Sequence, residues 1–313
     1  MAPRRMGTLL AARALGMNSL GLDIAPEAEI CSRAKVAQVT RSEVMRYLER
    51  LPAHPAKDIK LRRDVGALLH PHTVRSLIPM RSRLLADMAK ESEPGCASVV
   101  LAALLGILHG HASFSLSVPS AHAFAMAPSY VRKYAEKNGL TRPIRDIRAC
   151  LRAKIERCIP ETPGPRVECK IIRGSATDIL THFASYIGKV DVILTSPPYL
   201  SAQTYYKDNW LRHWLLDVEN TVSQGEYLQT ASVTKYSTLV ETILDKCSKL
   251  LRPEGRLICI AGDVRAAARS SRPFSIINTT AIPPLGVQGT PGSIWLLTLY
   301  LAITYQDCWG RQI

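Results

Sequence analysis

The chain has 313 residues, of which 47% are apolar, so it can bury a core in one or two domains and is too apolar for a disordered protein. Its 40 Lys and Arg residues exceed its 26 Asp and Glu residues, and the net charge of +14 favours a polyanionic partner such as nucleic acid. The eight cysteines form no Cys-x-x-Cys pair, so the sequence indicates neither a zinc site nor a disulfide framework and favours a reducing compartment. No apolar run is long enough to span a bilayer, so the sequence indicates no membrane segment.

The first predicted elements are a short helix and a strand that ends in an acid. Residues 7–16 predict a helix that ends at Gly16, where glycine can adopt the left-handed conformation of a C-terminal cap. Residues 19–22 predict the strand, and Asp23 follows it directly. Nucleotide-binding folds use a carboxylate at this position to hold a ribose diol, so Asp23 is a candidate ligand for the ribose of a cofactor.

A long, mainly helical region follows. Residues 99–108 are apolar on every side and predict a core helix. Between Arg132 and Arg157 there are nine Lys or Arg residues against three acids. We expect one apolar stripe here, with the basic side chains on the solvent side; its members are Ile144, Ile147, Leu151 and Ile155. This basic surface is either simply solvated or binds DNA phosphates.

The second half of the chain predicts a return to alternating strands and helices. After a Pro- and Gly-rich linker at residues 160–166, residues 167–172 predict a strand and 177–186 a helix. The apolar run at 190–194 is too short for a helix and predicts a buried strand.

An amphipathic helix, a turn and a strand are predicted at residues 236–251, 251–256 and 257–261. The sequence therefore predicts an α/β core from residues 1–40 and 161–265, interrupted by a mainly helical insertion at 41–160. Residues 266–313 form a C-terminal tail of unclear structure.

The strand at 190–194 leads into Thr195 and then Ser196-Pro197-Pro198-Tyr199, at the edge of an α/β sheet where ligands bind. Proline has a fixed φ and restricts the residue before it, so the carbonyl groups of Ser196 and Pro197 are held in set directions. Such acceptors suit an exocyclic amine, whose delocalised lone pair must be localised before it can attack a methyl group. The serine hydroxyl is a further acceptor, and the Tyr199 ring can stack on a flat base. A rigid turn after a strand is the alternative.

Ser196-Pro197-Pro198-Tyr199 resembles motif IV of the DNA amino-methyltransferases, which is Asp, Asn or Ser, then Pro-Pro, then an aromatic residue. Its serine form is similar to the cytosine-N4 branch, whereas Asp or Asn is the commoner adenine-N6 form. Residues 200–216 are similar to the family pattern after this motif, and residues 16–26 resemble motif II. Residues 125–146 resemble a block found between motifs II and III in a subset of the family.

The resemblance implies a Rossmann-like sheet that uses S-adenosylmethionine to methylate N4 of cytosine in double-stranded DNA, in the cytoplasm with the genome. It assigns catalysis to Ser196, Pro197, Pro198 and Tyr199. It assigns cofactor binding to Thr8, Asp23, Ile24, Ser175 and Thr195. Family members carry a Gly-rich cofactor loop before motif II, and of the residues in its place only Thr8 fits.

Three alternative functions remain open. Adenine-N6 methylation uses nearly the same pocket. Methylation of a protein glutamine or of RNA also uses a Pro-Pro-Tyr loop, although Asn or Asp usually precedes it. The absent Gly-rich loop favours a third alternative, a DNA-binding remnant without activity. We predict no metal site, because His70 and His72 have no third ligand nearby.

Overall fold

The structure is a computed structural model that describes residues 7–52, 54–90, 93–110, 114–119, 127–196, 205–221, 232–259 and 294–300. Its strands are β1 (Asn18–Asp23), β2 (Cys169–Arg173), β3 (Val190–Ser196), β4 (Leu251–Cys259) and β5 (Trp295–Tyr300). Its helices are α1 (Thr8–Ala14), α2 (Pro26–Val36), α3 (Arg41–Arg50), α4 (Val65–Leu68), α5 (Pro71–Ala89), α6 (Pro94–Ile107), α7 (Pro128–Lys137), α8 (Ile147–Cys158), α9 (Ile179–His182), α10 (Tyr205–Asp208), α11 (Trp210–Leu216) and α12 (Val233–Leu250).

The strands form one parallel sheet in the order β2-β1-β5-β3-β4, so the protein is α/β and compatible with a Rossmann-like fold. Parallel sheets are covered on both faces, and every residue of β1 is buried. One face packs against α9 and α12 through residues that include Leu22, Leu297 and Leu299. The other face carries Val192 and Leu296, which pack against Ala12 of α1.

Close packing of α1 on the sheet depends on Gly21 in β1. A Cβ atom at Gly21 would lie 3.1 Å from a methyl group of Leu9, closer than ordinary van der Waals contact. The connection from α1 to β1 contains Gly16, whose φ of 70° is the left-handed conformation expected where this helix ends. Both glycines therefore bring the first helix directly onto the centre of the sheet.

The central strand, β5, lies within residues 266–313, which were predicted only as a tail of unclear structure. It lies between β1 and β3 and pairs with both in parallel. Leu297 and Leu299 are buried within this strand, which explains its largely apolar character. The two strands that carry the predicted cofactor and catalytic residues are thus separated by one strand.

The connections reverse direction at the centre of this sheet. From β1 the chain moves outwards to β2 on one side, whereas from β3 it moves outwards to β4 on the other. Such a reversal is a topological switch point, and ligands of open α/β sheets bind outside the carboxyl ends of the strands there. A ligand is therefore expected at the carboxyl ends of β1, β5 and β3.

The helical insertion has its own core, which is centred on α6. Residues of this helix are apolar on every side and buried, so the core helix predicted at 99–108 is confirmed, with an earlier start at Pro94. Around it pack α2, α3, α5 and α8. In the part of the chain that the structure describes, no helix combines the length and apolar character needed to cross a membrane.

The prediction that the insertion has an apolar stripe with its basic side chains on the solvent side is wrong in part. Ile147, Leu151 and Ile155 of α8 are buried as expected, but Ile144 precedes the helix and is 65% exposed. Lys154 is only 8% exposed and lies over the Phe114 ring, because its long apolar stem packs into the core. Many basic side chains of this region therefore stabilise the insertion itself.

Two predicted elements of the second half differ in the structure. The single helix expected at 177–186 is two turns of 3-10 helix flanking α9, because the Ser175 and Thr177 side chains near its start bond locally and compete with α-helical bonding. The turn expected at 251–256 lies inside β4, where Glu254 adopts a φ of 63° and the register with β3 shifts. A bulged strand accounts for the Pro and Gly that suggested a turn.

Replacement of Leu297 by Ala tests the central position of β5. This side chain has no exposed surface, so we expect Leu297→Ala to lower the free energy of unfolding by about 3 kcal/mol. Leu15→Ala is the matched control, because Leu15 is 69% exposed and its truncation should change stability by less than about 0.5 kcal/mol. Urea unfolding followed by circular dichroism measures both. Equal stabilities of the two variants would contradict the placement of β5.

Candidate functional site

Asp23 and Ser196 lie in one row across the carboxyl edge of the sheet. Asp23 ends β1 and is the register partner of Tyr300 in β5, and Ser196 ends β3 and is the register partner of the same Tyr300. Neighbouring strands are about 4.8 Å apart, so the two backbones are separated by roughly 10 Å. Gly21 and Asp23 lie on the α1 face of β1, and the backbone of Ser196 ends β3 in the same row at the switch point.

The carboxylate of Asp23 is buried and held in a fixed orientation. It is 4% exposed, and its Oδ1 accepts a hydrogen bond of 2.8 Å from the backbone N–H of Ala25. This contact closes a tight turn between β1 and α2. The orientation of the acid is therefore set by the backbone that follows it.

The carboxyl ends of β1 and β2 are tied together, which places Ile24 and Ser175 near Asp23. The backbone N–H of Gly174 donates to the Asp23 carbonyl at 2.9 Å, and Arg173 Nε donates to the Ile24 carbonyl at 3.3 Å. Ser175 comes directly after this pair of contacts. Its hydroxyl lies 2.7 Å from the Thr177 hydroxyl and accepts from the Thr177 N–H at 3.2 Å, so it caps the following 3-10 turn.

Thr195 lies one residue before the row of Asp23 and Ser196 and projects from the opposite face. Its register partner is Leu299, which packs in the cluster with α12. The side chain is buried, and within the described ranges its Oγ1 has no hydrogen-bond partner. A cofactor on the α1 face would therefore meet the Thr195 backbone rather than its hydroxyl.

Thr8 begins α1, which runs back along the sheet from its carboxyl edge. Leu9, the next residue, contacts Gly21 in the carboxyl half of β1. The structure therefore gathers Thr8, Asp23, Ile24, Ser175 and the backbone of Ser196 at one edge of the sheet. The three remaining predicted catalytic residues, Pro197, Pro198 and Tyr199, lie outside the described residues.

The chain that follows β3 returns to this edge and adds a buried pair that the sequence did not reveal. Tyr206 packs on Ile24 and the start of α2, and its ring centre lies 5.2 Å from that of His213 in α11. His213 Nε2 lies 3.4 Å from Glu27 Oε2, and both side chains are buried. An acid in the first turn of a helix is common because it favours the helix dipole, so the sequence pattern alone does not single out Glu27.

The described cysteines do not supply a nucleophile at this edge. Burial raises the pKa of the Cys247 thiol in α12 to about 12 and that of Cys96 in α6 to about 11. Burial also raises the pKa of Cys259, which ends β4. These thiols are therefore protonated at neutral pH, and the thiolate is the reactive form.

No protein-family model matches the chain, and neither a curated protein nor a solved structure matches it. Among the described residues, no three His, Cys, Asp or Glu side chains come together as a possible metal site. The chemistry of this edge is therefore inferred from its own residues, which offer a fixed carboxylate and backbone carbonyl groups.

Replacement of Glu27 by Ala tests the buried pair. The change leaves the imidazole of His213 buried without this carboxylate, so we expect Glu27→Ala to lower the free energy of unfolding by about 2 kcal/mol. Glu29→Ala is the control in the same helical turn, because Glu29 pairs with the exposed Arg33 and its loss should cost less than about 1 kcal/mol. Chemical denaturation measures both. If Glu29→Ala is the more damaging change, the pair does not stabilise the edge.

Cysteine modification tests the protection of the core thiols. At pH 8 we expect Cys247 to react with iodoacetamide at least about tenfold more slowly in the native protein than in urea, because burial both shields it and keeps it protonated. Mass spectrometry of tryptic peptides identifies the alkylated positions over time. Rapid labelling of Cys247 in the native protein would contradict the packing of α12 on the sheet.

Proposed function

We propose that this protein transfers a methyl group from S-adenosylmethionine to the exocyclic N4 of cytosine in double-stranded DNA. The observation that carries this proposal is the row formed by Asp23, Tyr300 and Ser196 at the switch point of a parallel sheet. Asp23, which would bind the ribose, and Ser196, which would accept from the amine, end strands that lie two positions apart in the sheet. This spacing leaves room for a cofactor beside a flat base.

The residues at the carboxyl ends of β1 and β2 fit the nucleoside part of such a cofactor. Asp23 uses Oδ1 for the turn, and the ribose hydroxyls would donate to its carboxylate. Ile24 offers an apolar surface next to it, and the backbone at Ser175 borders the same space. These residues would bind and orient the cofactor without taking part in bond making.

S-adenosylmethionine, when bound, supplies an electrophilic methyl group. The target base lies inside the duplex, so it must be rotated into the pocket, where Tyr199 would stack on it. The Ser196 hydroxyl and the Pro197 carbonyl would accept hydrogen bonds from the two N–H groups of the amine, which would localise its lone pair. The nitrogen would form the new bond to the methyl carbon as the sulfur–carbon bond breaks, S-adenosylhomocysteine would be the leaving group, and the amine would release one proton to water. Alignment of the two reactants supplies much of the acceleration.

A DNA-binding protein without methyltransferase activity is the second candidate. Two observations favour it: the Ser175 hydroxyl is occupied as a helix cap, and the Thr195 side chain lies on the opposite face from Asp23. This candidate predicts binding of duplex DNA without binding of S-adenosylmethionine. Calorimetric titration with the cofactor separates the two functions.

The decisive assay incubates the protein with methyl-labelled S-adenosylmethionine and DNA. The DNA is either genomic DNA or a duplex of mixed sequence. We expect the label in N4-methylcytosine after digestion to nucleosides and separation by chromatography. Label in N6-methyladenine would replace the proposed substrate atom by N6 of adenine, and label in neither base would contradict methyl transfer to DNA.

Two substitutions separate cofactor binding from catalysis. Asp23→Asn keeps an acceptor for the Ala25 N–H but removes the charge, so we expect the Kd for S-adenosylmethionine to rise about tenfold or more. Ser196→Ala should lower kcat about 100-fold with little change in that Kd, because the lost hydroxyl holds the amine in the transition state.

Matched controls for these variants lie on the surface. Asp245→Ala removes an exposed acid that pairs only along its own helix with Lys249, and Ser185→Ala removes an exposed serine. Both should retain the cofactor affinity and kcat of the wild-type protein. A loss of activity in the controls equal to that in Asp23→Asn and Ser196→Ala would contradict the assigned roles.

A further inference from the structure

A pocket of about 400 Å³ lies in the helical insertion, outside the residues assigned to methyl transfer. It forms where the loop before α4 meets the start of α7. Its lining residues are Arg62, Arg63, Asp64, Pro128 and Arg132. Three guanidinium groups around one pocket indicate an anionic ligand.

Arg62 and Asp64 form a fixed wall of this pocket. Arg62 Nε donates to Asp64 at 3.1 Å, and another nitrogen of the same guanidinium pairs with Glu219. The hydrogen bond to Asp64 holds the pKa of Arg62 above its usual value, and the same contact lowers the pKa of Asp64. Asp64 also accepts from the Val65 N–H at 2.8 Å and so begins α4. The positive charge of Arg62 is therefore already paired within the protein.

Arg63 and Arg132 differ from most arginines of the insertion. Neighbouring guanidinium groups are already bonded within the protein: Arg142 to Gly66, Arg145 to Ser115, Arg148 to Leu51 and Arg152 to Glu49. Within the described ranges, neither Arg63 nor Arg132 has an ion pair or a side-chain hydrogen bond. Two such groups on one pocket present planar donor pairs, the geometry that matches phosphate oxygens.

The pocket is connected to the candidate site through α11. Glu219, the partner of Arg62, follows the C-terminal end of this helix, and α11 also carries His213 beside Glu27. This helix therefore joins the wall of the pocket to the buried Glu27–His213 pair.

We infer that Arg63 and Arg132 form a subsite for a backbone phosphodiester of the DNA whose base enters the candidate site. The identity of this ligand rests on the proposed function. Inorganic phosphate is likewise anionic and offers similar acceptor oxygens, so the experiment includes it as a separate ligand. Arg62 holds one side of the pocket in place through its contacts with Asp64 and Glu219.

The test compares the wild-type protein with an Arg63→Gln/Arg132→Gln double variant. Fluorescence anisotropy measures the Kd for a labelled 20-base-pair duplex, a length of roughly two helical turns, at several salt concentrations. We expect the Kd of the double variant to rise about tenfold, because charge-assisted hydrogen bonds to a phosphate are lost. The slope of log Kd against log salt concentration should fall by about one, as expected for the loss of one phosphate contact.

An Arg46→Gln/Arg166→Gln double variant is the matched control. Both arginines are exposed, and the variant loses the same two positive charges from other parts of the surface. It should keep the salt slope of the wild-type protein. Thermal unfolding of each variant establishes that the fold is retained, which we expect because neither Arg63 nor Arg132 has a side-chain hydrogen bond or ion pair among the residues that the structure describes.

The possible results separate this subsite from the proposed function. Equal duplex affinity and salt slope in the wild-type protein and the Arg63→Gln/Arg132→Gln variant would overturn the subsite but leave methyl transfer intact. Duplex binding that depends on both arginines without formation of a methylated base would support the subsite and contradict the enzyme. Calorimetric binding of inorganic phosphate that is lost in the double variant, without any duplex binding by the wild-type protein, would assign the pocket to free phosphate and overturn the DNA ligand.

Discussion

Backbone hydrogen bonding of β5 to both β1 and β3 is the interaction on which the candidate site depends. Parallel pairing brings the carboxyl ends of these strands to one edge, and the register on Tyr300 places Asp23 and Ser196 in one row. A shift of one residue in either pairing would move one of the two side chains to the opposite face. The buried leucines of β5 resist such a shift, since each must stay on its own face of the sheet. The packing of the core thereby sets the geometry of the proposed chemistry.

Local sequence signals were sufficient to predict α1, β1 and the position of Asp23. Gly16 and the apolar residues that follow it predicted the end of α1 to within two residues and the start of β1 to within one, because both depend on neighbouring positions. The position of Asp23 at a strand end followed directly. The same reasoning could not place β5: a short apolar run does not distinguish a buried strand from a buried helix, and its partners are distant in sequence.

The electrostatics of the insertion show a second limit of sequence reasoning. Counting Lys and Arg correctly indicated a basic region, but only the fold shows which charges have partners inside the protein. Lys154 is buried over an aromatic ring, and Arg148 holds a backbone carbonyl, whereas Arg63 and Arg132 line an open pocket. The Glu27–His213 pair was equally hidden, because its two members are joined only when α11 packs on α2. Long-range contacts, rather than residue types, decide these roles.

The position of β5 also has a consequence for the order in which the molecule assembles. During synthesis on the ribosome, the insertion can organise early, since its helices contact neighbours that have already emerged. The sheet cannot form early, because Asn18 of β1 pairs with Trp295 of β5. Until β5 is synthesised, β1 and β3 each have an edge with unpaired backbone hydrogen-bonding groups. Up to that point the nascent protein therefore exposes unpaired strand edges, which favour association with other chains.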